Sequence, residues 1–369
     1  MTRNIFYMIL LLYVSAIFYL AITLPIGPHE ATLFYGDKNF LYYLTHVGHY
    51  FFGNGLEIRL PFVLFGFLNI LLFFIMSRLY FTDLTEVYWA TTIYLLLPGI
   101  ITSTVLVNVA VIVITLVLFF IIFYEKKKIL GQMMSMLLLL WIHDASIIFF
   151  IALTIYSAFK RDRILFSFSV VLSSISLLYF NELDIGGTPT GEFLQLFGLY
   201  VALFSPLVFI YFFYALYRIW IREKKDILWY IAFTAFIFSI LLSLRQQVIM
   251  TDFAPYVIIS VVLMLVIYNK STNVRLSQFQ KGYKIGFYIL FSSLVLSALI
   301  IIFHKSFFYI LEDKTKHFAY SFYEPYWQVQ ELKEIGQDCY TVQNQKIQYQ
   351  LNYYGIQACQ DFTVPKIHR

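Results

Sequence analysis

About eleven runs of roughly 20 apolar residues follow one another along this chain, and each approaches the length a helix needs to cross a hydrocarbon core of ~30 Å. They lie at Asn4–Ile26, Leu60–Phe81, Val87–Leu106, Val109–Tyr124, Ile129–Ile142, Ala145–Phe159, Ile164–Phe180, Phe193–Trp220, Ile227–Leu244, Phe253–Tyr268 and Ile285–Phe303. Apolar residues make up 60% of the chain and charged ones 13%, about half the charge of an ordinary globular domain. A soluble core cannot absorb that much apolar surface. The fold class this implies is an all-α polytopic membrane protein, because helices satisfy their own backbone groups in lipid.

The fifth and sixth runs are short and meet at Trp141-Ile142-His143-Asp144. They are either two spans or one long helix broken in the middle, and the positive-inside rule decides between these. With two spans and a cytoplasmic N-terminus, the segments Glu125–Lys128, Lys160–Arg163, Arg222–Asp226 and Asn269–Lys284 all face the cytoplasm, and all are basic. The opposite loops hold Gly27–Arg59, His143-Asp144, Asn181–Glu192, Arg245–Asp252 and the C-terminal tail, which are acidic or mixed. Merging the two runs would scatter the basic loops over both sides. The break is therefore kept, which places the tail outside.

The first run reads as a signal anchor, with no small-residue cleavage site after it. A transmembrane domain is expected over residues 1–303, and a small external, periplasmic domain over 304–369. That tail carries the only two cysteines, Cys339 and Cys359. In an oxidising compartment they suit a disulfide, with two free thiols as the alternative.

The first external loop, residues 27–59, contains the stretch GPHEATLFYGDK. It brings His29, Glu30, Asp37, Lys38, His46, His49, Glu57 and Arg59 together with many aromatics. Such an amphipathic segment is expected to lie along the membrane interface as short helices. Ionisable groups at that depth are costly, which makes them functional candidates.

The order HEA, then DK with an aromatic-rich YYLTHVGHYFFG, then LEIRLPFVLFGF, resembles the first-loop signature of the glycosyltransferase C superfamily. The similarity is to its protein O-mannosyltransferase-like and lipid A aminoarabinose transferase-like branches (glycosyltransferase family 39 and 83 types). The matching positions are His29-Glu30, Asp37-Lys38, Phe52-Gly53 and Arg59-Leu60-Pro61, and LNYYGI near the end (Leu351–Ile356) is also family-like. Three positions depart from the pattern. His29 stands where the first acidic residue of a pair is expected, Asn39 where a proline is, and Asn108 where an acid opens the fourth helix.

The resemblance implies inverting transfer of a sugar from a polyprenyl-phosphate donor to a glycan, lipid or protein acceptor at the external face of a bacterial inner membrane. Glu30 is then the expected general base, since a hydroxyl acceptor must lose a proton. Lys38 and Arg245 are the expected cations for the leaving phosphate. Asp37 is placed to bind a divalent cation or to hold Lys38, no other cofactor being implied. His29, Asp144 and Asp252 are further candidates for lining the cavity.

Other classes fit less well. A secondary transporter usually shows internal repeats, and none is visible. An O-antigen polymerase or ligase is expected to keep its main loop late in the chain, and a scaffold leaves the Glu30–Lys38 cluster unexplained. The net charge of +5 resides in short loops rather than a basic face, which argues against nucleic acid. No Gly-rich phosphate loop is present, which argues against a nucleotide sugar as direct donor.

Overall fold

A computed structural model describes residues 1–36, 38–51, 56–179 and 192–359. Helix α1 (Arg3–Thr23) is followed by two short helices in the first loop, α2 (Pro28–Tyr35) and α3 (Phe40–Phe51), and then by α4 (Leu60–Tyr80). Next come α5 (Leu84–Leu96), α6 (Pro98–Val105), α7 (Ala110–Glu125), α8 (Ile129–Ile142), α9 (Ile147–Lys160) and α10 (Arg163–Tyr179). The second half contributes α11 (Phe193–Phe204), α12 (Pro206–Arg222), α13 (Ile227–Ser243), α14 (Met250–Ile258), α15 (Val261–Asn273) and α16 (Ser277–Ile302). The tail adds α17 (Phe307–Ile310), α18 (Tyr320–Glu334) and α19 (Gln345–Tyr353). Among the described residues no strand forms, and the one extended pairing is an isolated bridge between Cys339 and Gln357.

All eleven apolar runs are helical, and the chain is an all-α polytopic membrane protein. By length and composition α1, α4, the stretch Met250–Asn273 and α16 each suffice to cross a membrane. Two further runs are bent pairs, α5 with α6 at 62° and α11 with α12 at 105°. Proline explains both bends. Pro98 and Pro206 open the second helix of each pair, where their missing N–H costs nothing, and they push the preceding Leu97 and Ser205 out of the helical region. The remaining five, α7, α8, α9, α10 and α13, are shorter than a full span.

The chain divides into two compact units. The first comprises Met1–Ser15, Leu64–Thr104 and Val109–Ile301. Within it α7 is buried along most of its length and packs against α8 and α14, while α9 packs against α10 and α13. A polar clamp joins α4 to α7: Asn69 Nδ2 donates to the Val111 carbonyl at 2.8 Å, and Thr115 Oγ1 donates to Asn69 Oδ1 at 2.7 Å. In lipid such a pair contributes about 0.6–2 kcal/mol to helix association.

Two sets of helix ends in this unit are tied together. Tyr80 Oη, ending α4, donates to Asp226 Oδ2 at 2.8 Å. Asp226 in turn caps α13 by accepting from the Trp229 N–H. Lys270 of α15 pairs with Glu223, just beyond α12, at 2.7 Å. Elsewhere in the unit, α14 packs on the single 3-10 turn Asp144–Ser146 between α8 and α9. Loops expected on one side of the membrane thus contact loops expected on the same side.

The second unit comprises Ala16–Val63, Val105–Asn108 and Ile302–Arg369, so the tail belongs with the first loop. Its α19 packs on α2 and on α18. Val329, Leu332, Leu351 and Ile356 form a small core here, flanked by Tyr340, Val342, Ile347 and Tyr354. The sequence LNYYGI has a plain structural reading. Gly355, at φ +92°, ends α19 in a backbone region that favours glycine, which turns Ile356 back into this core.

Cys339 and Cys359 form a disulfide across 20 residues. Because the core it closes is so small, loss of the bond through a Cys339→Ser, Cys359→Ser double substitution should destabilise the tail by about 3 kcal/mol. Limited proteolysis of α18–α19 in the full-length protein measures this. Cleavage as slow as in the parent would mean that the staple contributes nothing.

Candidate active site

The candidate site is built from the second unit alone. Helix α1 ends with carbonyls that lack helical partners, and α2 begins with N–H groups in the same position. A cation suits the first end and an anion the second. Arg59 and Glu30 supply these, and both are almost fully buried, at 1% and 2% exposure.

Arg59 Nη1 donates to the carbonyls of Ala21 at 3.0 Å and Leu24 at 2.6 Å, and Nη2 donates to Pro25 O at 2.8 Å. Its other hydrogens grip Glu30 as a fork, Nε to Oε1 at 2.9 Å and Nη2 to Oε2 at 2.5 Å. Glu30, the N3 residue of α2, also reaches back to accept the N-cap Gly27 N–H on Oε2 at 2.8 Å, and it accepts the Val107 N–H on Oε1 at 3.0 Å. Burial alone pulls the Arg59 pKa down, but the charge and hydrogen bonds of Glu30 outweigh it and the net shift is upward.

This geometry makes Glu30 an anchor of the loop. A carboxylate has about four acceptor sites, and four N–H donors already occupy them here. No direction is left for an acceptor hydroxyl.

The other expected residues are spread out. Lys38 is exposed just beyond α2, and Asp37 and the Phe52-Gly53 pair lie outside the described residues. Arg245 is exposed in the turn after α13, in the first unit. That unit also brings Asp144 near Asp252, which sits in the first turn of α14 beside Thr251. His143 adjoins them, its ring 6.4 Å from that of Tyr256. His29 is exposed at the start of α2, its ring partly shielded by neighbouring groups. Burial lowers its pKa, which outweighs the opposing pull of Glu30, and Lys346 lowers it further. Asn108 is buried, its Nδ2 donating to the Leu106 carbonyl at 2.9 Å. Among the described residues no three His, Cys, Asp or Glu side chains converge as a metal site would require.

What the second unit does form is a cavity of about 570 Å³ beside Arg59. Its walls are the end of α1 (Ile22–Ile26), Phe34 and Tyr35 of α2, and His49, Glu57, Lys305, Tyr323, Tyr326, Tyr353 and Tyr354. The Tyr354 hydroxyl accepts the Ile26 N–H at 2.9 Å, and Gln350 Nε2 donates to the Ile26 carbonyl at 2.7 Å, which pins the tail to the loop. Phe34 is covered by His46 on one side and Tyr353 on another. Burial raises the hydroxyl pKa values of Tyr323, Tyr353 and Tyr354. They stay protonated at neutral pH.

Inside the cavity wall, His49 Nδ1 contacts the Glu57 carboxylate. The imidazole side chain is 51% exposed and the carboxylate 14%. An imidazole held by a carboxylate behind it is the usual arrangement of a general base. Gly48 makes the approach of α3 feasible, since a Cβ there would lie 2.1 Å from the Glu57 carbonyl oxygen. His49 and Glu57 are among the loop's ionisable candidates but carry no assigned role in the sequence, and Lys305 and the four tyrosines are not expected there as site residues. Of the residues from the tail, only the LNYYGI pair carries a signal.

No protein-family model matches the chain, and no curated protein matches it. Among solved structures it is similar to ArnT from Cupriavidus metallidurans in the apo state, with a TM-score of 0.60 at 11% identity, over 94% of this chain and 84% of that one. At that identity the likeness is one of fold. The chain is an all-α polytopic membrane protein that shares the fold of ArnT.

Proposed function

We propose that the chain transfers a sugar from a polyprenyl-phosphate carrier to an acceptor at the external face of a bacterial inner membrane. The observation that carries this reading is the fold it shares along nearly its whole length with ArnT, a lipid A aminoarabinose transferase. The cavity in the second unit supports it, because it joins a base, a cation and hydroxyl donors in a space sized for a monosaccharide and its phosphate.

In this reading His49 takes the proton of an acceptor hydroxyl as its oxygen attacks the anomeric carbon. The bond from that carbon to the phosphate oxygen breaks with inversion, and polyprenyl phosphate leaves with one more negative charge. Lys305 and the tyrosine hydroxyls stabilise that charge. Lys38 is a cation for the donor phosphate on the strength of the sequence resemblance, and Arg245 is a candidate for the same role from its place in a later external loop. Glu30 and Arg59 hold the loop in shape.

Native mass spectrometry of the purified protein tests the proposal. A co-purifying polyprenyl phosphate bearing one hexose or pentose is expected, with release of free polyprenyl phosphate on adding acceptor-containing membranes. Absence of any such lipid, together with no release from an added polyprenyl-phosphate sugar pool, would overturn it.

The orientation is part of the same proposal, with the N-terminus cytoplasmic and the tail periplasmic. Reporter fusions after Lys128 and after Arg369 should lie on opposite sides, because seven apolar runs separate them. Signals from the same side would remove the oxidising environment assigned to the tail.

A further inference from the structure

The first unit carries a second polar site that the transfer reaction does not use. Where α15 turns into α16, an apolar groove of about 460 Å³ runs between α5, α12, α15 and α16, walled by Ile93, Met264, Leu265, Phe287 and Leu290. At its mouth a polar pocket of about 510 Å³ holds Arg218, Arg222, Lys270 and Arg275. Arg275 lines both cavities, its guanidinium stacked 3.9 Å over the Tyr283 ring. One carboxylate, Glu223, pairs with Lys270 close by, which leaves the pocket with a clear positive excess.

Basic side chains near helix C-termini complement the macrodipole and need no ligand for that. Two orphaned groups point further. Arg218 reaches Ser271 through Nη1, yet its Nε is buried with no hydrogen-bond partner among the described residues. Tyr211, seven residues earlier on α12 and so about 10 Å along its axis, lines the groove with its hydroxyl buried and also unpartnered among them. A phosphate at the arginines would satisfy the first, and an ester carbonyl below it the second. Gly282 and Gly286 keep the groove open on the α16 side, where an added Cβ would meet nothing within 4 Å.

We infer that this site binds an anionic diacyl phospholipid, with its phosphate among Arg218, Arg222 and Arg275, its glycerol ester at Tyr211 and an acyl chain in the groove. Basic pockets between membrane helices suit such headgroups. The ester contact selects a diacyl lipid over a polyprenyl phosphate, which has no carbonyl to offer.

Native mass spectrometry of the full-length protein in detergent, with phosphatidylglycerol or phosphatidylcholine added, tests the inference. One retained phosphatidylglycerol per chain is expected, with much weaker retention of phosphatidylcholine. Arg218→Ala with Arg275→Ala should weaken retention roughly thirtyfold, about fivefold for each charge. Gly286→Phe fills the groove without removing a contact and raises helix propensity, so it should displace the lipid from a folded protein. Tyr211→Phe should weaken phosphatidylglycerol but leave polyprenyl phosphate unchanged. Equal retention of both phospholipids, or insensitivity to the arginines and to Gly286→Phe, would overturn the site. Inorganic phosphate that displaces the lipid fully, or polyprenyl phosphate that outcompetes it at equal concentration, would overturn the assignment to a diacyl lipid.

Discussion

Arg59→Met should destabilise the loop-and-tail unit by about 3–5 kcal/mol, the usual cost of removing one partner from a buried ion pair. The substitution leaves the Glu30 carboxylate buried at 2% exposure without its counter-charge. It also removes the donors to the carbonyls of Ala21, Leu24 and Pro25. Glu30→Gln keeps the shape but loses the charge, and it presents an amide NH₂ toward groups that are all donors. It too should be strongly destabilising. A double variant, Glu30→Leu with Arg59→Met, removes the stranded charge but leaves the Gly27 and Val107 N–H groups and the α1 carbonyls unpaired. Its loss should therefore be smaller than the sum of the singles but well above zero, and the cycle measures the coupling. Thermal unfolding in detergent, followed by proteolysis at α18–α19, reads the effect. Wild-type stability for Arg59→Met would show that the pair does not hold the loop, and would reopen the base role for Glu30.

That pair also shows how much the sequence could tell. Helix positions followed from apolar runs, and the break at His143 followed from the segregation of basic loops, because both are local or additive properties. The functional reading stopped at residue types. Glu30 is a carboxylate in an external loop in either account. What separates a base from an anchor is whether its lone pairs are already used. The deciding partners are Arg59, 29 residues on, and the Val107 N–H, 77 residues on. Neither leaves a mark in periodicity or composition.

The cavity escaped for the same reason. His49 and Glu57 are eight residues apart with Gly48 beside them, and although both stand among the loop's ionisable candidates, nothing in the sequence pairs them until α3 folds back on the turn before α4. Lys305 and the tyrosines arrive from the far end of the chain. A tail that reads as a separate external domain turns out to share a unit with the first loop, held by Tyr354 and Gln350 on the backbone of Ile26. The lengths of the spans were also only partly legible. A proline placed inside an apolar run lets α11 and α12 bend by 105°, so a run of sufficient length is not one straight crossing.

His49→Ala is expected to lower turnover by about 10²- to 10⁴-fold, the range for loss of a positioned general base. Glu57→Gln should lower it less, since it weakens the orientation of the imidazole without removing the imidazole itself. Gly48→Ala gives an independent arm. Its methyl would meet backbone rather than a flexible side chain, so α3 must shift away from Glu57. That should part His49 from Glu57 and reduce turnover although neither residue is altered. Single-turnover release of polyprenyl phosphate from a bound donor measures the chemical step, and donor retention measured separately should change little in all three variants. The size of the His49 effect also identifies the acceptor. A hydroxyl must lose its proton as it attacks, whereas a lipid phosphate is already ionised and gains nothing from a base. If His49→Ala and Glu57→Gln both turned over at the parent rate while Lys305→Ala did not, the cavity would still hold the donor phosphate. The acceptor would then be an anionic group such as a lipid phosphate, and the proton-transfer step proposed for His49 would have to be abandoned.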